Sequence, residues 1–273
     1  STQGYSSAAS DVYKRQCLHI IPSYATRLAE VMYEEGIDPR KDTKLHTVCI
    51  GAEPHSEEQR KRIEQLLGVK AYNCFGMSEM NGPGVAFECT EQNGLHIWED
   101  NVIVEIVDPV TLQPVPEGEV GELVLTTINR EAMPLLRYRT RDLTCILPGD
   151  CPCGRTHKRL ARFKGRSDDM IILKGVNLFP IQIEKILMQF KELGSNYLIT
   201  LETIGNSDEM LIEVELSDLF TDDYSALQRL TKGITRQLKD ELLLTPRIKL
   251  VAKGSLPTTD GKAVRVKDHR KLC

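Results

Sequence analysis

The chain has 273 residues, 41% hydrophobic and 27% charged, ordinary proportions for a globular protein with room for one large or two modest cores. Its 35 Lys and Arg against 39 Asp and Glu leave a net charge of −4 without any basic block, which argues against nucleic acid as a partner. No apolar run reaches the ~18–20 residues of a membrane span, and residues 1–16 lack the apolar centre of a secretory signal, so no membrane partner is expected.

Residues 1–16 are Ser-rich and without period, and are set aside as a lead-in. Ser23 is placed to cap a helix with apolar positions Ala25, Leu28, Ala29 and Met32, ending at Gly36. Thr47 to Ile50 reads as a short buried strand running into Gly51-Ala52-Glu53-Pro54. Ser56 and Gln59 have capping-box spacing for a helix closed by Gly68, and Val69 to Cys74 is a second strand. This strand–helix–strand order predicts a parallel sheet whose strands end in candidate ligand loops. Alternating Val102, Val104 and Ile106, a turn at Asp108-Pro109 and a strand from Val120 to Thr127 make 84–164 β-rich.

After Asp169 the pattern restarts. Met170 to Leu173 is a strand, and Pro180 opens a helix with the stripe Ile183, Ile186, Leu187 and Phe190. Strands at Tyr197 to Thr203 and Met210 to Leu216 flank a turn at 205–208; Leu227, Leu230, Ile234, Leu238 and Leu242 line a long helix; Ile248 to Ala252 is a last strand. The expected fold class is α/β: a parallel sheet with a β-rich part over 17–167, then a small α+β unit over 168–273.

The eight cysteines lie at 17, 49, 74, 89, 145, 151, 153 and 273, not as a disulfide framework, which favours a reducing cytoplasm. Cys49 and Cys74 fall in apolar runs and read as buried small hydrophobes. Cys151-Pro152-Cys153, with Cys89 and His96 upstream and His157 downstream, offers zinc's preferred thiolate and imidazole ligands. Two readings stand here: a closed structural Zn2+ site of Cys89, His96, Cys151 and Cys153, with His157 as the alternative to His96, or free thiols at a turn.

Two distant stretches read together. Gly165-Arg166-Ser167-Asp168-Asp169 looks like a charged hinge, and Pro257-Thr258-Thr259-Asp260-Gly261-Lys262 delivers a lysine on a turn. With Asn73-Cys74-Phe75-Gly76-Met77-Ser78-Glu79 and Tyr138-Arg139-Thr140-Arg141-Asp142, they resemble the adenylate-forming enzymes, and within these the phenylacetate–coenzyme A ligase family. The resemblance runs from about Cys17 to near the C-terminus. Taken singly, each motif also reads as plain structure: a strand with a polar turn, a charged surface loop, a strand-ending glycine.

The resemblance implies an incomplete AMP-binding domain followed by a mobile lid. It implies ATP-dependent joining of an aryl acid, phenylacetate, to coenzyme A through an acyl-adenylate, with release of AMP and pyrophosphate. Gly51, Ala52, Glu53 and Pro54 would border the adenine from one side, and Asn73, Cys74, Phe75, Gly76, Met77 and Ser78 from the other, with Phe75 stacking on the base. Asp142 would hold the ribose, Arg166 would touch the nucleotide, Glu79 would hold Mg2+, and Lys262 would bridge the attacking carboxylate and the α-phosphate. Asp168 would be the hinge and Gly175 would line the coenzyme A path, while 82–86 and 95–100 resemble segments bordering the acyl pocket. The family's Gly- and Ser/Thr-rich phosphate loop is not in this sequence, which implies a C-terminal fragment that is itself inactive. A carrier-loading adenylating enzyme and an inactive nucleotide- or zinc-binding fragment are the competing readings, and a homodimer is implied by related ligases.

Overall fold

The computed structural model describes residues 16–80, 82–205, 207–217, 224–257 and 263–270. Contacts divide the chain into two units: the first runs to Asp168 apart from 55–62, and the second holds 55–62 and the chain from Asp169.

In the first unit, β1 (Cys17–Ile20), β2 (Thr47–Ile50) and β3 (Lys70–Met77) pair in parallel. Parallel neighbours need crossovers, and α1 (Pro22–Glu34), α2 (Pro39–Asp42) and α3 (Glu57–Leu67) lie in the connections. Ala25, Ala29, Ile63 and Leu67 of the helices are buried with Val48, Ile50 and Ala71 of the strands. Ser23 does not cap α1. The N-cap is Ile21, with Pro22 in the first turn, where a fixed φ and a missing N–H suit it. Ser23 instead donates its N–H and hydroxyl to the Glu53 carboxylate, at 3.0 and 2.9 Å. At α3, Ser56 Oγ accepts from the Gln59 N–H (3.1 Å), and Gly68 closes the helix at φ +68°.

The second predicted strand runs further than expected, past Cys74 to Met77, so 75–77 are also strand and only Ser78–Met80 form a turn of 3-10 helix. The reason is β4 (Gly82–Glu88), which pairs antiparallel with the end of β3 and extends its ladder. The sheet continues antiparallel through β5 (Leu95–Ile97), β10 (Arg159–Leu160) and β9 (Ile146–Leu147). A second, antiparallel sheet has the order β11 (Gly165–Arg166), β8 (Tyr138–Thr144), β7 (Gly121–Thr127), β6 (Val102–Val107). Val102, Ile106, Leu123 and Leu125 from this sheet are buried against Val85, Ile97 and Leu160 from the first, so the β-rich region is two sheets closing on one apolar layer.

In the second unit, β12 (Ile171–Leu173) and β13 (Val176–Leu178) form a hairpin before α4 (Pro180–Leu187). β14 (Leu193–Ile204) and β15 (Ser207–Leu216) are antiparallel, and β16 (Arg247–Val251) and β17 (Val266–Asp268) join them in parallel at the two edges. Ile183, Ile186 and Leu187 of α4 meet Leu230, Ile234 and Leu238 of α5 (Tyr224–Leu242) over Ile199, Leu201, Ile212 and Val214 of the sheet. Among the described residues no helix is long and apolar enough to cross a membrane.

Candidate functional site

The two strand ends singled out by sequence lie side by side. Gly51 follows β2, and a Cβ there would stand 2.3 Å from the Cys74 carbonyl oxygen and 2.7 Å from Cys74 Sγ, so only glycine fits. Ala52 takes a positive φ of 65°, which starts the loop's turn away from the strand. Asn73 is buried and tied to β4: its N–H and side-chain amide donate to the two oxygens of Glu88, at 2.7 and 2.6 Å. Cys74 is buried 3.2 Å from His19 Nε2, and burial pushes its thiol up to about 12, so it stays protonated. Phe75 packs on Phe163 with ring centroids 4.4 Å apart. Beyond Gly76 and Met77 the chain turns, exposing Ser78 and Glu79, while Met80 is buried and anchors the turn. The Glu79 carbonyl accepts from Arg130. Gly84 lies against Trp98, whose indole sits 5.4 Å from the Phe87 ring.

Asp142 is on β8, in register with Arg166 on β11. The Arg166 guanidinium forks onto both oxygens of Asp168, at 2.9 and 2.8 Å, and holds that carboxyl below the usual carboxylate range. One turn of ladder away, Glu122 is wholly buried, and Arg139 meets it bidentately at 2.9 and 2.7 Å. Those hydrogen bonds outweigh burial and depress the Glu122 pKa.

Gly175 belongs to the second unit. Lys174 and Gly175 turn the β12–β13 hairpin at φ +49° and +81°, the two positive values of a type I′ turn. A Cβ on Gly175 would meet nothing within 4 Å, so the visible demand for glycine is the turn itself. Lys262 and the rest of its turn, 258–261, lie outside the described residues.

The structure also brings Cys89, His96, Cys151 and Cys153 together, their ligand atoms all within 4.8 Å of one another. Cys89 follows β4, His96 is on β5, and Cys151 and Cys153 lie between β9 and β10. His157 contributes its carbonyl rather than its ring, accepting from His96 Nδ1 at 3.4 Å. Burial raises the Cys89 thiol to about 11 and lowers His96; the Arg155 backbone N–H brings Cys153 down to about 7. Sequence reasoning missed Glu88, Arg155 and Arg159, the last buried with its guanidinium on three backbone carbonyls. Their partners come from other strands and loops, and no local pattern marks them.

A mixed α/β unit with a β-rich part, followed by a small α+β unit, is the fold of the adenylate-forming enzymes. The chain belongs to the adenylate-forming, AMP-binding enzymes. The family model described as AMP-binding enzyme matches residues 7–129, starting ahead of Cys17, and that of the AMP-binding enzyme C-terminal domain matches 175–270. A phenylacetate-coenzyme A ligase of Thermus thermophilus is 41% identical over 274 residues, covering 95% of this chain and 61% of that protein. One of Pseudomonas putida is 42% identical over 260 residues, covering 94% of this chain and 58% of that protein. A solved 2-hydroxyisobutyryl-CoA ligase, in the postadenylation state in complex with R3-HIB-AMP, is similar with a TM-score of 0.88 and 32% identity over 94% of this chain and 55% of that one. The chain thus spans about three fifths of the length of the curated relatives it matches.

Proposed function

We propose that these residues serve an ATP-dependent ligase that joins an aryl acid, phenylacetate by similarity to the curated relatives, to coenzyme A through an acyl-adenylate. The observation that carries this reading is convergence within the first unit. Phe75 of the 73–79 segment packs on Phe163, and Arg166, three residues further along, pairs in register with Asp142. The 73–79 segment is thus linked through Phe163 to the strand that carries Arg166 and to its register partner Asp142.

In this reading the substrate carboxylate attacks the α-phosphorus of ATP in line and pyrophosphate leaves. The backbone of 51–54 and 73–77 frames the base, and Asp142 accepts from the ribose hydroxyls. The Lys262 ammonium spreads charge gathering on the transferring phosphate. Glu79, exposed on its turn, suits Mg2+, which neutralises phosphate charge when bound. The second half-reaction follows a rotation about Asp168, which removes Lys262 and admits the coenzyme A thiol past Gly175; the thiol attacks the activated carbonyl and AMP leaves. The division of the chain between Asp168 and Asp169 supports that hinge. Cysteines not arranged as a disulfide framework favour a cytoplasmic reaction, small molecules are its expected partners, and the homodimer implied by resemblance is checked by light scattering. Zinc stands outside this chemistry.

The test is AMP release from ATP, phenylacetate and coenzyme A, using the chain extended to its relatives' length. Lys262→Ala is expected to abolish adenylation and to spare thioester formation from supplied phenylacetyl-adenylate. Equal loss of both half-reactions would remove Lys262 from the adenylating role, and no AMP release with any aryl acid would overturn the substrate class.

A further inference from the structure

The thiol–imidazole cluster has no part in the ligase chemistry. We propose that Cys89, His96, Cys151 and Cys153 form a resident, closed zinc centre, and that Arg155 and Arg159 balance its net negative charge.

Two of the ligand–ligand distances match the edges of a zinc tetrahedron, and all four ligand atoms lie within 4.8 Å of one another. Zn–S bonds of ~2.3 Å at tetrahedral angles set a sulfur–sulfur edge of ~3.8 Å and, with Zn–N of ~2.0–2.1 Å, a sulfur–nitrogen edge of ~3.6 Å. Cys89 Sγ and Cys151 Sγ are 3.7 Å apart, and Cys153 Sγ and His96 Nε2 are 3.4 Å apart. A disulfide would bring two sulfurs to ~2.05 Å. The histidine has the required tautomer. The His157 carbonyl can only accept, so His96 Nδ1 carries the proton and Nε2 presents its lone pair to the other ligands.

The backbone is built to the same end on both sides. Gln92 N–H donates to the Cys89 carbonyl and Gly154 N–H to the Cys151 carbonyl, both at 3.0 Å, and Gln92 and Gly154 both have positive φ, 51° and 81°. The two turns are counterparts, each beginning with a ligand sulfur. Cys89, His96 and Cys151 are 7%, 4% and 6% exposed, which leaves a metal there no open position and a structural role.

Charge gives an independent argument. Three thiolates, a neutral imidazole and Zn2+ sum to a single negative charge. Arg155 hydrogen-bonds Cys153, and Arg159 on β10 stands opposite His96 on β5 in the strand register. Arg159 is 5% exposed, its guanidinium donating to the carbonyls of Asn93 (2.9 Å), Gly149 (3.1 Å) and Asp150 (3.3 Å), and no carboxylate pairs with it among the described residues. A buried cation held only by carbonyls is costly unless an anion lies nearby, and an anionic metal centre supplies one. The sulfur-rich, tetrahedral set selects zinc over hard cations such as Mg2+.

The experiment is metal analysis of the whole chain purified without chelator from zinc-replete medium, with zinc-edge X-ray absorption on the same sample. About one zinc per chain is expected, in a shell of three sulfurs at ~2.3 Å and one nitrogen at ~2.0–2.1 Å. Cys151→Ser with Cys153→Ser should lose it, and Cys145→Ser, a buried thiol outside the cluster, should keep it. Should the double variant not fold, the absorption shell of the unaltered chain decides. Arg159→Met should weaken zinc retention against a competing chelator about 10–100-fold, the range for outer partners of metal ligands. Metal-free protein, a shell of oxygen and nitrogen only, or equal zinc loss in Cys145→Ser would overturn the centre; unchanged retention in Arg159→Met would overturn the charge balance. None of these readouts depends on ligase activity.

Discussion

The two units bury their carboxylates in different ways, although the second also buries a cation, Arg60, paired with Glu57. The second closes on one apolar cluster, and the two buried carboxylates among its described residues take neutral donors: Glu184 accepts from the Tyr197 hydroxyl and the Ser56 N–H, and Glu215 from the Asn196 amide and the Leu256 N–H. The first divides its apolar residues between two clusters and adds ionic devices: Glu122 with Arg139, and Arg159 beside the thiol–imidazole cluster. The difference follows strand length. β14 and β15, of 12 and 10 residues, bury enough side chains to hold themselves, whereas β9, β10 and β11 have two residues each. Ladders that short carry few cross-strand pairs, so polar and ionic ties hold the irregular backbone between them.

Substitutions in the two regions should separate these modes. Leu238→Ala opens a cavity in the apolar cluster of the second unit and is expected to cost about 2–5 kcal/mol by chemical denaturation; hydrogen exchange should rise across 193–216 and stay unchanged across 121–144. Glu122→Gln is expected to cost about 3 kcal/mol, the low end for a broken buried pair, because Arg139 is 30% exposed and can rehydrate. Its signature is in pH. The folded Glu122 pKa lies below its ordinary value of 4.5, so its contribution is complete above about that pH and is lost as pH falls through the folded value. The Gln variant should therefore show a flatter acid limb in a melting-temperature profile; an identical limb would remove the pair as a stabiliser. Gly175→Ala should have the smallest effect, about 1 kcal/mol of left-handed strain, since no atom lies in the way of its Cβ. A much larger loss in thioester formation than in stability would point to the coenzyme A path.

The same contrast governs what the sequence discloses. In the second unit, the stripes on α4 and α5 and the strand alternation are local, and the structure has those elements where the periods lie, except that α4 ends at Leu187, before Phe190. In the first, β4 is hidden in a stretch with two glycines and a proline, and it is tertiary pairing that extends the strand over 75–77. The Glu53 contact that displaces Ser23 as a cap spans 30 residues. The four cluster residues were legible because sulfur and imidazole advertise themselves whatever their spacing; Arg159, one basic residue among several between Arg155 and Arg166, was not.

The contact between Gly51 and Cys74 has a mechanical consequence. Where a methyl group would already stand 2.3 Å from the Cys74 oxygen, the gap between the first loop and the 73–79 segment is gauged by atomic radii rather than by any bond. Salt loosens ion pairs and denaturants compete for hydrogen bonds, but neither changes the size of an atom. Throughout the range in which the sheet stays folded, that clearance should act as a fixed calliper.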